Sequence, residues 1–155
     1  MKKLCFILIF GIVAVITYLN WDNEGDNDID LSKIQYNVVR FNTGHRQIFD
    51  DSCEYYYVTK SDIRNAERIL RNEFENYNKT AKVPRNHENY GRQYMGSKTS
   101  SGEILIYVNC LAGPDEYGLK WLFLVEVNDG GDGFFEARIN LTTGEVLSFS
   151  PHGSA

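Results

Sequence analysis

The stretch "NDGGDGFFEARINLTTGEVLSF", Asn128–Phe149, contains two strand-like runs and two turn sequences. In "FFEARI" apolar and polar side chains alternate, as in a strand with one buried face. Glycine, asparagine and aspartate tolerate the backbone of tight turns. "NDGGDG" therefore predicts a hairpin turn that joins the apolar run "KWLFLVEVN", Lys120–Asn128, to the next strand. A phosphate cradle would instead need a helix directly after the glycines, so an ion site is the weaker alternative.

An amphipathic helix is predicted over "TKSDIRNAERILRNEFENYN", residues 59–78, where Thr59 and Asp62 form a start like a capping box. Apolar residues then recur at spacings of three and four, on one stripe: Ile63, Ala66, Ile69, Leu70, Phe74 and Tyr77. Polar residues are assigned to the solvent face: Arg64, Glu67, Arg68, Arg71, Glu75 and Asn78. Glu67 and Arg71 are four apart, in the order that favours an ion pair. The pattern predicts one helix that packs on a sheet.

The other strand candidates lie on both sides of this helix, and no second helix is predicted after Asn78. Before it come "DSCEYYYVT" and, with a weaker pattern, "KIQYNVVRF"; after it come "YGRQYMGS", "GEILIYVNCL" and "GEVLSFS". Alternation places Tyr55 and Tyr57 on one face of their strand and Tyr56 on the other. The predicted fold is α+β, with one amphipathic helix on a four- to five-stranded antiparallel sheet.

The first 32 residues have the composition of an export segment and a linker. Lys2 and Lys3 precede an apolar run, Leu4–Leu19, which is typical of a signal peptide. The run also suits an uncleaved membrane anchor. We expect residues 1–21 to be the signal peptide or anchor, 22–32 an acidic tether, and 33–155 a single domain. Either alternative places the domain in the periplasm or cell envelope.

The charge balance argues against two classes of partner. The formal net charge is −5 at pH 7, and no cluster of lysine and arginine interrupts the acidic composition. Nucleic-acid binding needs a basic surface that neutralises phosphates. We therefore predict no nucleic-acid partner, and membrane contact only through the N-terminal apolar segment.

Two cysteines, Cys53 and Cys110, lie outside the apolar run. In an exported chain such a pair predicts a disulfide, with two buried free thiols as the alternative. His45, His87 and His152 are far apart in sequence and show no metal-ligand spacing. No cofactor, metal site or cysteine nucleophile is predicted.

Four acidic residues surround the predicted hairpin: Glu126, Asp129, Asp132 and Glu136. A carboxylate pair can serve in acid–base catalysis, but a strand with one solvated face commonly carries such residues. We predict no catalytic residues here, and hence no enzyme.

The order of strand, long helix and antiparallel strands resembles the cystatin-like arrangement. The tail "DGGDGFFEARINLTTGEVLSF" is similar to the end of a PepSY domain, through Phe134, Phe135, Ile139, Thr143, Gly144 and Val146. Residues 90–155 also resemble small exported proteins of Bacteroidetes that have no assigned function. The Gln-x-Val-x-Gly motif with which cystatins inhibit cysteine proteases is not present in the sequence, so the resemblance implies the fold and not that activity.

Together these patterns predict a non-enzymatic, exported envelope module that binds an unknown protein or peptide partner, as an inhibitor-like or accessory protein. Two alternatives remain open. One is a ligand-pocket protein or enzyme of nuclear-transport-factor-like shape, and the other is a purely structural accessory protein.

Overall fold

A computed structural model describes residues 29–41, 48–50, 52–127 and 130–152. The chain divides into two units, Met1–Asp30 and Leu31–Ala155, and the description below concerns the second. The predicted signal peptide or anchor, and the tether as far as residue 28, lie outside the described residues. No helix within the described ranges is long and apolar enough to cross a membrane.

The described part of the second unit contains one long helix and six strands. The helix is α1 (Lys60–Asn78), and the strands are β1 (Tyr36–Val38), β2 (Glu54–Tyr56), β3 (Tyr90–Lys98), β4 (Ile104–Ala112), β5 (Gly131–Asn140) and β6 (Glu145–His152). Short 3-10 turns occupy Leu31–Lys33, His87–Asn89 and Pro114–Leu122. The α+β prediction is confirmed.

The strands form one mostly antiparallel sheet in the order β1-β3-β4-β5-β6. The prediction of four to five antiparallel strands is wrong in two respects. The sheet of the described residues has six strands, and β1 runs parallel to β3. β2 pairs antiparallel with β3 further along the same strand. Two short strands thus share β3, β1 at Arg92–Tyr94 and β2 at Gly96–Lys98, which sequence alternation alone does not reveal.

The start of α1 follows the predicted capping box. The Thr59 hydroxyl accepts a hydrogen bond from the Asp62 backbone amide at 3.2 Å, and the Asp62 carboxylate accepts one from the Thr59 amide at 2.8 Å. The Tyr56 hydroxyl also donates to Asp62, at 3.1 Å. Two otherwise unpaired amides are satisfied in this way, and the start of the helix is joined to β2.

The core between α1 and the sheet is rich in aromatic rings. Phe74 of α1 packs on Phe135 of β5, with ring centroids 4.8 Å apart, and Phe149 of β6 stacks on Phe135 at 5.5 Å. The rings of Tyr77 and Tyr90 also pack against Phe135. Aromatic pairs at these distances stabilise a core beyond the apolar area that they bury.

A second, smaller cluster covers the opposite face of the sheet. Its buried residues are Val39, Ile48, Phe49, Met95 and Tyr107, and Leu124 packs against it. Because the sheet is covered on both faces, β3 is buried at every position except Lys98.

The run "KWLFLVEVN" is not a strand, so the predicted hairpin across "NDGGDG" is wrong. The run forms the end of a 3-10 turn and then an irregular segment over residues 123–127. β3 and β5 already occupy both edges of β4, so the run cannot pair there and instead lies over the second face. Asn128 and Asp129 lie outside the described residues. Gly131, at the start of β5, has a positive φ of 52°.

The second predicted turn, between β5 and β6, is confirmed. Gly144 has a φ of 74°, and its amide donates to the Asn140 carbonyl at 2.8 Å. The Asn140 side chain accepts hydrogen bonds from the Thr142 and Thr143 amides at 3.0 and 3.2 Å. The turn sets the position of β6 at the end of the sheet.

Candidate functional site

β6 is the terminal strand of the sheet, and no other strand of the described residues pairs with its outer edge. Two register shifts interrupt its pairing with β5, between Gly131 and Phe135 and between Arg138 and Ile139. Bulges of this kind are common at sheet edges. Pro151 cannot donate a backbone hydrogen bond, and sheets tolerate such a residue on edge strands. The backbone from Glu145 to Ser150 is the part of this edge that can still pair with an added strand.

A groove of about 590 Å³ runs between this edge and α1. Its residues come from the helix, the preceding turn and β6: Ile69, Asn72, Glu73, Tyr77, Gly144, Val146, Ser148 and Phe149. The groove lies where α1, whose Phe74 and Tyr77 pack on Phe135 of β5 and Phe149 of β6, meets the last strand of the sheet. A Cβ atom placed on Gly144 would meet no other atom within 4 Å, so this end of the groove stays open.

The lining of the groove combines apolar side chains with the polar side chains of Asn72 and Ser148 and one acidic group. Ile69, Tyr77 and Phe149 also pack against the helix-side core, so the apolar wall is fixed by the fold. The charged side chain of the lining is Glu73, and no lysine or arginine is among the lining residues. An apolar wall with few polar groups is typical of a binding site for a peptide or small ligand.

A second polar centre is buried under the helix. Arg92 of β3 and Glu67 of α1 form an ion pair, with Nε and Oε1 3.1 Å apart and side chains 1% and 2% exposed. The Tyr94 hydroxyl donates to the same Glu67 oxygen. Arg92 also donates to the backbone carbonyl of Tyr90 and, at 2.7 Å, to that of His87. The guanidinium therefore ties α1, β3 and the 3-10 turn at His87–Asn89 together.

This centre has perturbed ionisation but no access to solvent. Burial, followed by the charge of Glu67, holds the pKa of Tyr94 well above its usual value. Burial raises the pKa of the Cys110 thiol to about 12. Buried groups with shifted pKa values are candidates for catalysis when they line a cleft. Arg92, Tyr94 and Cys110 are at most 1% exposed, so we assign the centre a structural role.

The assignment of Glu67 to the solvent face is wrong. Glu67 is 1% exposed and bonds to Arg92 across the core rather than forming the predicted pair with Arg71. The sequence carries a signal for this: position 67 follows Ala66 and lies four residues after Ile63 and three before Leu70, within the apolar stripe. An acidic residue in the stripe needs a buried partner, and Arg92 shares its strand face with Tyr90 and Tyr94.

Cys53 and Cys110, the predicted disulfide pair, are both free in the structure. Cys110 belongs to the cluster between α1 and the sheet, and Cys53 packs against the cluster on the opposite face. The sheet separates the two thiols, whereas a disulfide needs Cβ atoms about 3.5–4.5 Å apart. Cys110 is buried, as the alternative of two buried free thiols predicts, whereas Cys53 is only partly buried.

The remaining candidates do not assemble into a site. Glu136 accepts a hydrogen bond from the Tyr107 hydroxyl at 3.0 Å, and Glu126 is exposed in the irregular segment. Asp129, His45 and the side chains of Asp132 and His152 lie outside the described parts of the chain. Over the described residues, no three or more His, Cys, Asp or Glu side chains are placed to hold a metal ion.

Comparisons with family models, with curated proteins and with solved structures found no match for this chain.

Proposed function

We propose that the protein is an exported, non-enzymatic module that binds an extended peptide segment of a partner protein along β6. The observation that carries the proposal is the coincidence of an unpaired strand edge with a partly apolar groove beside it. Strand addition supplies main-chain hydrogen bonds from the edge, while pockets beside the edge select alternate side chains. The backbone of Glu145–Ser150 has the length for such an added strand.

The groove suggests the chemistry of the peptide. Side chains of an added strand point alternately to the two faces of the sheet, so every second one enters the groove between Val146 and Ile69. An apolar side chain fits this wall, and a lysine or arginine at the next groove position would meet Glu73.

Export and the cystatin-like or PepSY-like resemblance belong to the same proposal. One helix against a mostly antiparallel sheet supports the resemblance, and the apolar run over residues 4–19 supports export. An accessory or inhibitor-like role then follows from holding the partner segment in an extended form. No observation gives comparable support to a ligand-pocket protein or enzyme, because the groove is open along the strand and contains no catalytic pair.

Peptide selection on the full chain in detergent tests the proposal. A phage-displayed library of random decapeptides is the probe, and the selected peptides are synthesised for titration. We expect Val146→Arg, which places a long cation in the groove, to weaken binding at least tenfold, about 1.4 kcal/mol. Leu147→Arg is the matched control, because the next residue of the same strand points away from the groove.

Equal loss of affinity in Val146→Arg and Leu147→Arg would contradict the groove as the site. Selection that returns no binding peptide would contradict peptide binding itself. Circular dichroism of each variant separates loss of binding from loss of fold.

A further inference from the structure

The outer edge of β6, which pairs with no strand of the described residues, has a sequence that can pair with a second copy of itself. Directly opposite residues of antiparallel strands lie on the same face of the sheet, so the partners in β5 show which way each β6 side chain points. Val146 is opposite Ile139. Phe149 is opposite Ala137, and both partners belong to the cluster under α1. Val146 and Phe149 therefore share the helix face.

The register shift in β6 explains why these two residues, three apart in sequence, share a face. The pairing with β5 passes from Ser148 to Val146 and skips Leu147. A residue inserted in this way changes the alternation of the strand by one position. Leu147 is also 48% exposed, so β6 carries a large exposed apolar side chain at the middle of its outer edge.

The two ends of the segment Glu145–Ser150 lie on the face away from the helix. Ser150 is opposite Glu136, whose carboxylate accepts a hydrogen bond from Tyr107 of the second-face cluster. Glu145 is opposite Asn140, which alternation along β5 places on the same face as Glu136. Glu145 and Ser150 are both exposed, and Glu145 is the one charged residue of the segment.

We propose that two copies of the chain pair antiparallel through β6, about a two-fold axis that passes between Leu147 and Ser148. Val146 of each copy then lies opposite Phe149 of the other, and both side chains are on the helix face. A β-branched residue opposite an aromatic one stabilises a sheet, and a two-fold axis gives this pair twice. A register shifted by one residue in either direction would place Val146 opposite Ser148 or Ser150, which point to the other face.

The charge of the segment favours a second copy as the occupant of this edge. In the same register Glu145 lies opposite the uncharged Ser150 of the other copy, so the two glutamates do not face each other. The backbone of β6 cannot pair with a peptide and a second copy at once, so the dimer is the form of the protein that does not accept a peptide. This consequence rests on the proposed function, whereas the dimer itself does not.

Sedimentation equilibrium of the full chain, in a detergent whose density matches that of the solvent, tests the dimer. Ser150→Glu places a carboxylate opposite Glu145 of the other copy, twice in each dimer, and should raise the dissociation constant of the dimer about tenfold. Glu145→Lys is the matched control and should leave the constant nearly unchanged. Glu145→Lys/Ser150→Glu should restore the wild-type constant, because opposite charges then face each other across the axis.

Equal dissociation constants in all four proteins would contradict pairing through β6, and so would a wild-type chain that stays monomeric at its highest soluble concentration. A saturating peptide from the phage selection should dissociate the wild-type dimer, and a peptide that binds without dissociating it would contradict the shared edge. Charge-dependent dimerisation of a chain that selects no peptide contradicts the proposed function and supports the dimer. A monomer that binds the peptide supports the proposed function and contradicts the dimer.

Discussion

At the scale of single residues, the fold depends on one buried charge. Arg92 is enclosed between α1 and the sheet, and the carboxylate that neutralises it is Glu67. An unpaired charge in a protein interior is strongly unfavourable. Each member of the pair therefore needs the other to keep the folded domain stable. Replacement of both residues by well-packed apolar side chains can give equal stability.

We expect Glu67→Gln to destabilise the domain by about 3–5 kcal/mol, because it leaves the Arg92 guanidinium buried without a counter-charge. Glu75→Gln, an exposed change on the same helix, should alter the free energy of unfolding by less than about 0.5 kcal/mol. Guanidinium-induced unfolding measures both. Equal stabilities of the two variants would show that Arg92 finds another partner.

His87 makes stability depend on pH. Burial, followed by the positive charge of Arg92, lowers the pKa of His87 below its ordinary 6.5. As the pH falls below 6.5, the unfolded chain therefore binds a proton before the folded one does, and stability decreases. Above 6.5 both states are neutral and this contribution is constant.

The melting temperature should therefore fall as the pH decreases below 6.5, and His87→Gln should make that fall smaller. The backbone carbonyl of His87, which accepts from Arg92, is kept in the variant. Asn89→Gln, which changes an exposed side chain of the same 3-10 turn and adds no titratable group, is the control and should keep the wild-type pH dependence. An unchanged pH dependence in His87→Gln would show that other groups cause the decrease.

At the scale of elements, the sequence predicts the elements that have a regular period. The apolar stripe and capping box of α1 and the alternation in β3, β4, β5 and β6 all have their structural counterparts. The run Lys120–Asn128 is strongly apolar, but both edges of the preceding strand, β4, are already paired with β3 and β5. Its hydrogen bonds go instead to Gln93 and Asn109, and a local pattern does not contain that information.

The contact between β2 and β3 depends on a glycine. A Cβ atom at Gly96 would come within 2.6 Å of Val58 Cγ2 and 2.8 Å of the Tyr56 carbonyl oxygen. We expect Gly96→Ala to destabilise the domain by about 1–3 kcal/mol, because the backbone of the paired strand must move. Ser100→Ala, in the exposed turn after β3, should change stability by less than about 0.5 kcal/mol. Urea unfolding measures the stability of both variants. Similar unfolding midpoints would show that β2 can move away from β3 with little loss of stability.

At the scale of the whole molecule, the candidate site is less predictable than the fold. The groove combines Ile69 and Tyr77 of α1 with Val146 and Phe149 of β6, about 70 residues later in the chain. Each of these positions carries an apolar side chain, which the sequence pattern predicts to be buried in the core. Their partial exposure follows from β6 being the last strand, which only the sheet order reveals. The pairing of Glu67 with Arg92 cannot be predicted from the sequence pattern either, because the two residues lie on different elements.

Amide hydrogen exchange of the full chain, with and without a selected peptide at saturation, tests peptide addition at β6 most directly. An added strand pairs with the outward backbone groups of the edge, and paired amides exchange more slowly. We predict slower exchange within Glu145–Ser150, with the amides of β1 and β2 unchanged. Protection that appears at another edge of the sheet, or none within Glu145–Ser150 at saturation, would contradict binding by strand addition.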